Sequence, residues 1–400
     1  MSLKILYDME QLIGARGKGT GVVRASGKIL KGLNGYPEIQ MHPLITKTKK
    51  GLSEYLRKAG LESLENQKEL LPMLRSSTNK KTVFHRLSSK LLVKLLKNSY
   101  GKKLASYDWY FSIFSPISPI VYESGIKTAL FVHDLIPVVH PEHSSAWFVK
   151  KYTQWIRDIQ ADVIFVNSEA TKKDLLASRP DIRAERIILP SLAADKKFHK
   201  VTDAEVLRKV RQKYGIGDAK YFLGVSELST RKNLVHLMNS FVDFLDKTKA
   251  QDIKLVLVGP MRKGYTDITQ TIKGLDKYKD KIVLTGFVDD DDMAAVYSGA
   301  LCFVYPSLYE GFGLPILEAM QCGVPVISAD NSSLPEVGAD AALYISGKQT
   351  EQTAQALEKI YSDETFRSLL SQKGLKRASM FSWQKTVDTI FNTLKNFERK

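Results

Sequence analysis

At 400 residues and 44% hydrophobic content, the chain can build two domains of ordinary size, each with its own core. It carries 59 Lys and Arg against 43 Asp and Glu, a formal charge of +16, so its surface attracts anions such as nucleic acid, anionic lipid or phosphorylated substrates. No uncharged apolar run reaches the length of about eighteen residues that spans a bilayer, and MSLKILYDME lacks the apolar core of a secretion signal. Cys302 and Cys322 have neither metal-site nor disulfide spacing, which fits a reducing cytosol.

In chain order, Lys4 to Asp8 reads as a short strand, followed by the glycine-rich IGARGKGTGVVRASGKILKGL with a helix starting near Thr20 to Val22. Strand, glycine loop and helix open a Rossmann half. The spacing of Gly17, Gly19 and Gly21 is not a dinucleotide fingerprint, and no acid is placed to read a ribose, which excludes a nicotinamide site. From about Thr46 to Ser106 the chain reads as helical and basic, with no β-rich run before Trp109 to Phe114. Arg75 to Lys103 holds nine Lys or Arg and no Asp or Glu. Within it, around 82–98, Phe84, Leu87, Leu91 and Leu95 form one helical stripe flanked by Arg86, Lys90, Lys94 and Lys97. Such a helix can lie on an anionic membrane or pack its leucines on a core. No recognition motif accompanies the charge, which argues against nucleic acid.

KTALFV, Lys127 to Val132, reads as a buried strand ending at His133 and Asp134, and ligands of open α/β sheets bind beyond such ends. His140 and His143 in HPEH sit beside a proline in a loop rather than on one helical face, so they read as structural. A helix over Trp147 to Gln160, a strand at Asp162 to Val166 and a helix capped by Ser168 follow. PSLAADKKFHK, after Ile187 to Leu189, reads as the interdomain connection.

The second half repeats the pattern. A polar helix, Asp203 to Tyr214, leads to a strand at Tyr221 to Val225 and a loop ending in Arg231 and Lys232. Two cations there can neutralise a diphosphate while Asn233 caps the helix from Leu234. Further strands at Lys254 to Val258 and Lys281 to Leu284 are followed by Gly259 and Gly286, as in a doubly wound parallel sheet. The acids Asp289 to Asp292 look like a metal cluster but are read as the acidic start and cap of the helix Met293 to Ser298.

Residues 301–330, LCFVYPSLYEGFGLPILEAMQCGVPVISAD, compress a strand, a glycine turn, a short helix and a second strand. Pro315 suits the first helical position and Gly323 the stop. Gly311, Phe312, Gly313 and Leu314 form the turn, where small residues and free N–H groups favour a phosphate. Glu310 and Glu318, separated by seven residues, can accept hydrogen bonds from the hydroxyls of a sugar or ribose.

This stretch, E-G-F-G-L-P-I-L-E-A-M, resembles the E-x7-E signature of retaining glycosyltransferases of family 4, and R-K-N-L after a strand-end glycine is a second resemblance. The implied fold is α/β of GT-B type, with two Rossmann-like doubly wound domains facing a cleft and a C-terminal helix crossing back to the N-terminal domain. The expected domains are an acceptor domain, 1–195, to which the final helix at about 383–400 returns, and a donor domain, 196–382. The resemblance assigns Glu310 to the transferred sugar, Glu318 to the ribose, Arg231 and Lys232 to the pyrophosphate, and Gly311 to Leu314 to backbone contacts. It places Phe287 and Val288 near the base, Gly19 and Gly21 near the donor phosphates or the acceptor, and His133 in a segment that contacts the donor sugar or orients the acceptor. The implied reaction is metal-independent, needs no cofactor beyond the nucleotide-diphosphate sugar, and transfers the sugar with retention, by a front-face route because no second carboxylate is placed as a nucleophile. Mannose from GDP-mannose is preferred by family frequency. The acceptor is expected to be a glycan or a lipid-linked hydroxyl in envelope polysaccharide assembly, made by a cytoplasmic protein peripheral to the membrane. A glycogen- or sucrose-synthase-like transferase, or a catalytically silent partner binding nucleotide or membrane, are the alternatives.

Overall fold

The computed structural model describes residues 2–9, 21–45, 56–57, 61–67, 69–70, 101–260 and 266–398. Gly19 and the basic segment 82–98 lie outside the described residues. The chain divides into two compact units: residues 1–192 with 383–400, and residues 193–382.

The first unit is a seven-stranded parallel sheet of order β3-β2-β1-β4-β5-β6-β7 among the described residues. Its strands are β1 (Leu3–Asp8), β2 (Ile39–Ile45), β3 (Glu69–Leu70), β4 (Trp109–Ser112), β5 (Lys127–Val132), β6 (Val163–Val166) and β7 (Ile187–Ile188). Its helices are α1 (Gly21–Leu33), α2 (Pro119–Ser124), α3 (Ile136–Val139), α4 (Ala146–Arg157) and α5 (Glu169–Ser178). β5 and β6 read as continuous apolar runs because parallel strands are covered on both faces. Leu130, Val132, Ile164 and Val166 are buried in one cluster with Tyr152, Trp155 and Ile156 of α4. Ser168 caps α5 as expected, its Oγ accepting from Thr171 N at 3.0 Å.

β2 and β3 are strands that the sequence reading did not contain. Pro43 interrupts the β2 run IQMHPLI, yet β2 pairs with β1 over six residues, from Leu3 opposite Ile39 to Asp8 opposite Leu44. Proline lacks an N–H, which demotes such a run when only local pattern is considered. β3 is two residues long and carries no period at all.

The second unit is, among the described residues, a six-stranded parallel sheet of order β10-β9-β8-β11-β12-β13. These are β8 (Lys220–Val225), β9 (Ile253–Val258), β10 (Ile282–Gly286), β11 (Cys302–Tyr305), β12 (Val326–Ala329) and β13 (Ala342–Ile345). The helices are α6 (Ala204–Lys213), α7 (Leu234–Thr248), α8 (Thr266–Gly274), α9 (Met293–Ser298), α10 (Leu314–Gln321), α11 (Leu334–Gly338), α12 (Thr350–Ser362) and α13 (Glu364–Ala378). Phe222, Phe241, Phe244, Leu255 and Leu357 lie in one core cluster.

The last helix, α14 (Trp383–Lys395), belongs to the first unit, as the GT-B resemblance implies. It packs on α1, where a Cβ at Gly32 would sit 2.4 Å from Val387 Cγ2. Phe391 stacks on Tyr36 at 4.2 Å between ring centroids, and Trp109 Nε1 donates to Leu394 O at 3.2 Å.

The structure departs from three local expectations. Asn233 does not cap α7: it lies in the left-handed region at φ 57°, and its Nδ2 donates to Gly347 O at 2.7 Å and Pro306 O at 3.2 Å. The amide thus ties the start of α7 to the loops after β11 and β13, a long-range use that a cap-like position does not reveal. The acids before α9 make no side-chain cap either. Asp289 and Asp292 accept from Lys213 Nζ at 2.7 and 2.6 Å, and Asp290 accepts from Lys197 Nζ at 2.6 Å. Basic side chains distant in sequence claim these carboxylates instead. Pro315 is the second residue of α10, since Gly313 takes the cap position and Leu314 begins the helix.

Candidate functional site

In the second unit the strand order reverses at β8, with β9 on one side and β11 on the other. An open α/β sheet presents its ligand crevice beyond the strand ends at this point. The loop after β8 ends in the short turn Thr230–Lys232, and the loop after β11 carries Ser307 and Glu310. Leu308 N donates to Arg231 O at 2.9 Å, which joins the two loops.

Glu310 is 8% exposed and paired with both cations. Its Oε1 lies 2.5 Å from Lys232 Nζ and 2.8 Å from Arg231 Nη1. The same oxygen accepts from Tyr305 OH at 2.8 Å and Ser307 Oγ at 2.6 Å, while Lys232 Nζ also donates to Tyr305 OH at 2.8 Å. Burial by itself would raise the carboxyl pKa. The charges of Lys232 and Arg231, with hydrogen bonds from Lys232 and Ser307, overcome it and hold Glu310 down at about 2. The Tyr305 hydroxyl is pushed well above its ordinary value by burial and by the neighbouring Glu310 charge, so it stays a proton donor.

The loop after β12 holds the Glu310 backbone and the Ser307 carbonyl. Ser332 Oγ accepts from Glu310 N at 3.0 Å, Ser333 Oγ donates to the carbonyls of Glu310 and Phe312 at 2.9 Å each, and Asn331 Nδ2 donates to Ser307 O at 3.0 Å. Gly313 adopts φ 110°, so the turn into α10 requires glycine, and a Cβ there would also displace Leu334 Cδ2, which lies 2.9 Å away. Gly259 is as constrained, because a Cβ would lie 1.9 Å from Ser226 O in the loop after β8. Phe312 is buried with its ring edge-on to Phe381, so its side chain packs inside the second unit. Glu318 lies on α10 and is buried, its Oε2 accepting from Tyr297 OH at 3.1 Å. Beyond β10, Phe287 is 70% exposed while Val288 is buried.

In the first unit, Gly21 is the first residue of α1. His133 follows β5 directly and is buried, stacked on Phe131 at 4.4 Å between centroids. Its Nε2 lies 3.0 Å from Ile113 O, and a carbonyl only accepts, so Nε2 carries the proton and Nδ1 is the acceptor. Burial pushes its pKa down to about 4, against the opposing pull of the Ile113 carbonyl, so the ring is neutral at pH 7. Asp134 stands at the start of α3, where its Oδ1 accepts from Ile136 N at 3.0 Å.

The unfolded state protonates His133 near its ordinary 6.5 and the folded state only near 4, so this contribution to stability is full above pH 6.5 and is lost as pH falls toward 4. The shift is worth about 3 kcal/mol. Urea unfolding at pH 7.5 and pH 4.5 is expected to show a smaller difference in His133→Asn than in the parent, and equal differences would contradict the assignment.

The structure brings His140, Glu142 and His143 together on one turn, with potential ligand atoms all within 4.8 Å of one another. The His140 Nδ1 contact to Glu142 Oε1 at 3.0 Å gives the turn a structural use for both residues.

Tyr305, Ser307, Tyr297, Ser332 and Ser333 are the residues that sequence reasoning missed. Apart from Tyr297 on α9, these hydroxyl side chains stand at or just beyond the ends of β11 and β12, and those ends become neighbours through the pairing of Tyr305 with Ser328.

Residues 207–377 match the model of the family described as glycosyl transferases group 1. The chain is 30% identical over 259 residues to O-antigen chain mannosyltransferase B of Escherichia coli, covering 65% of this chain and 66% of that protein. It is 29% identical over 270 residues to the serotype-specific mannosyltransferase WbdA of Escherichia coli, covering 65% of this chain and 32% of WbdA. The chain therefore spans only about a third of the length of that relative. Among solved structures, Anabaena HepE in complex with UDP and glucose superposes with a TM-score of 0.73 at 17% identity, covering 99% of this chain and 100% of HepE. The fold is that of GT-B glycosyltransferases, and the second unit belongs to the group 1 glycosyl transferases.

Proposed function

We propose that the protein is a retaining glycosyltransferase that moves a sugar, with mannose from GDP-mannose preferred, from a nucleotide-diphosphate donor to a hydroxyl of a glycan or lipid-linked acceptor in envelope polysaccharide assembly. The observation that carries this reading is the buried Glu310 held by Arg231 and Lys232 beyond the strand ends where the second sheet reverses order. That the two Escherichia coli relatives are mannosyltransferases supports mannose, and that mannosyltransferase B acts on the O-antigen chain supports polysaccharide assembly.

In this reading departure of the nucleoside diphosphate leaves an oxocarbenium-like sugar. Arg231, Lys232 and the backbone N–H groups of the Gly311 to Leu314 turn stabilise the developing negative charge, a task that a metal ion performs in other transferases. Glu310 accepts hydrogen bonds from the transferred sugar and Glu318 from the ribose. His133, neutral at working pH, orients hydroxyls through Nδ1 rather than donating a full charge. Phe287 and Val288 border the base. The acceptor hydroxyl attacks from the face the leaving group vacates.

A thermal-shift panel of nucleoside diphosphates and their sugars tests the reading. The correct donor at about one hundred times its Kd adds about 2.7 kcal/mol to the state that binds it. GDP-mannose is expected to give the largest rise without added divalent metal, with proton NMR of the product showing the donor's anomeric configuration. No rise with any nucleotide sugar, or an inverted product, contradicts it. No helix among the described residues is long and apolar enough to cross a membrane. We propose that the cytoplasmic protein meets its acceptor at the membrane surface through the basic segment 82–98, which liposome flotation with Lys90, Lys94 and Lys97 changed to Glu tests by loss of binding.

A further inference from the structure

The contacts of Glu310 are one-sided. Among the described residues, the hydrogen bonds from Lys232, Tyr305 and Ser307 and the Arg231 ion pair all converge on Oε1. A carboxylate oxygen has two lone pairs, so these donors use up Oε1 and direct any further hydrogen bond to Oε2. Two of the donors carry no charge and belong to neither family resemblance. Tyr305 ends β11, and Ser307 follows two residues later.

We infer that Tyr305 and Ser307 are positioning residues that pin Oε1 of Glu310, so that the transferred sugar is read through Oε2 by one hydroxyl in one direction. This inference rests on the glycosyltransferase reading of the site. Lys232 and Arg231 alone would attract either carboxylate oxygen, because a charge is non-directional and the carboxylate can rotate about its last bond. Two hydroxyls anchored on the β11 backbone remove that freedom. Tyr305 is fixed by its buried ring, stacked on Phe303 at 5.6 Å, and its OH donates to Oε1 while accepting from Lys232 Nζ. Ser307 is fully buried, and its 2.6 Å contact to Oε1 is shorter than its contacts to Arg231 O at 3.2 Å and Tyr309 O at 3.4 Å. A site so restrained distinguishes sugars by the orientation of the hydroxyl that meets Oε2. That orientation is what separates epimers of one hexose.

The experiment compares the full chain with Tyr305→Phe and Ser307→Ala, which remove one hydroxyl each and keep the ring or the small volume. The expected result is a fall in kcat of about tenfold or more, with donor preference between hexose epimers reduced several-fold. Binding of the nucleoside diphosphate lacking the sugar stays within about twofold, since the cations remain. A purely structural role would move diphosphate binding and sugar turnover together, and that outcome overturns the inference, as does unchanged turnover with unchanged epimer preference. Should the parent protein turn over no nucleotide sugar, the reading of the site fails by itself. The positioning is then decided by the 13C carboxyl resonance of Glu310, assigned by its loss in Glu310→Gln: its titration moves upward in both variants if the hydroxyls hold Oε1, and stays in place if they do not.

Discussion

Glu310→Gln is expected to reduce sugar transfer by a factor of about a thousand and to destabilise the second unit by about 3 kcal/mol at pH 7. The substitution keeps the shape of the side chain and removes its charge, which takes the carboxylate charge away from Lys232 and Arg231, whose side chains are only 12% and 21% exposed. Breaking a buried pair from one side is costly because the surviving charge remains desolvated. Lys232→Met in the same chain is therefore expected to restore part of the stability while leaving turnover low. Urea unfolding of the two single variants and the double variant, read as a double-mutant cycle, measures this. Strict additivity would show that the ion pair is not coupled, and full turnover in Glu310→Gln would remove Glu310 from the chemistry. Acid weakens the same pair: the folded-state carboxyl sits near 2 against about 4.5 unfolded, so its contribution is complete above pH 4.5 and is lost as pH falls through 2. The His133 contribution is already declining at higher pH, between 6.5 and 4, so acid unfolding is expected to start in the first unit.

Deletion of residues 383–400 is expected to abolish cooperative folding of the first unit. α14 buries Val387, Ile390, Phe391 and Leu394. Each such side chain is worth about 1.5 to 3 kcal/mol of burial, and together they rival the whole stability of an ordinary domain. The deletion also strips the cover from Trp109, which pairs with Phe397 at 5.3 Å and donates to Leu394 O. Calorimetry of the truncated chain should lose the first unit's transition while the second unit still melts, and a retained transition would contradict this. Ile390→Ala is the milder version, expected to cost about 2 to 5 kcal/mol.

Local pattern was a sound guide where a structural choice is made by neighbouring residues. β5, β6, β8 and β9 are apolar runs because both faces of a parallel sheet are covered, and Ser168 caps α5 through a residue three positions away. It failed where the deciding partner is distant. β2 is held in place by β1 despite Pro43, and Asn233 turns from the helix start toward Pro306 and Gly347. The acids Asp289, Asp290 and Asp292 are taken by Lys213 and Lys197.

The site divides along the same line. The amino-acid sequence by itself determined the alternation of strands and helices, the glycine turn at Gly313, and which charged side chains stand beyond strand ends, because these follow from spacing along one segment. Only the tertiary structure decided that Arg231 and Lys232 meet Glu310, that Tyr305 and Ser307 share its Oε1, and that His133 is neutral. Those facts depend on the parallel pairing of β8 with β11 and on the depth of burial, which charge and spacing along the chain do not encode.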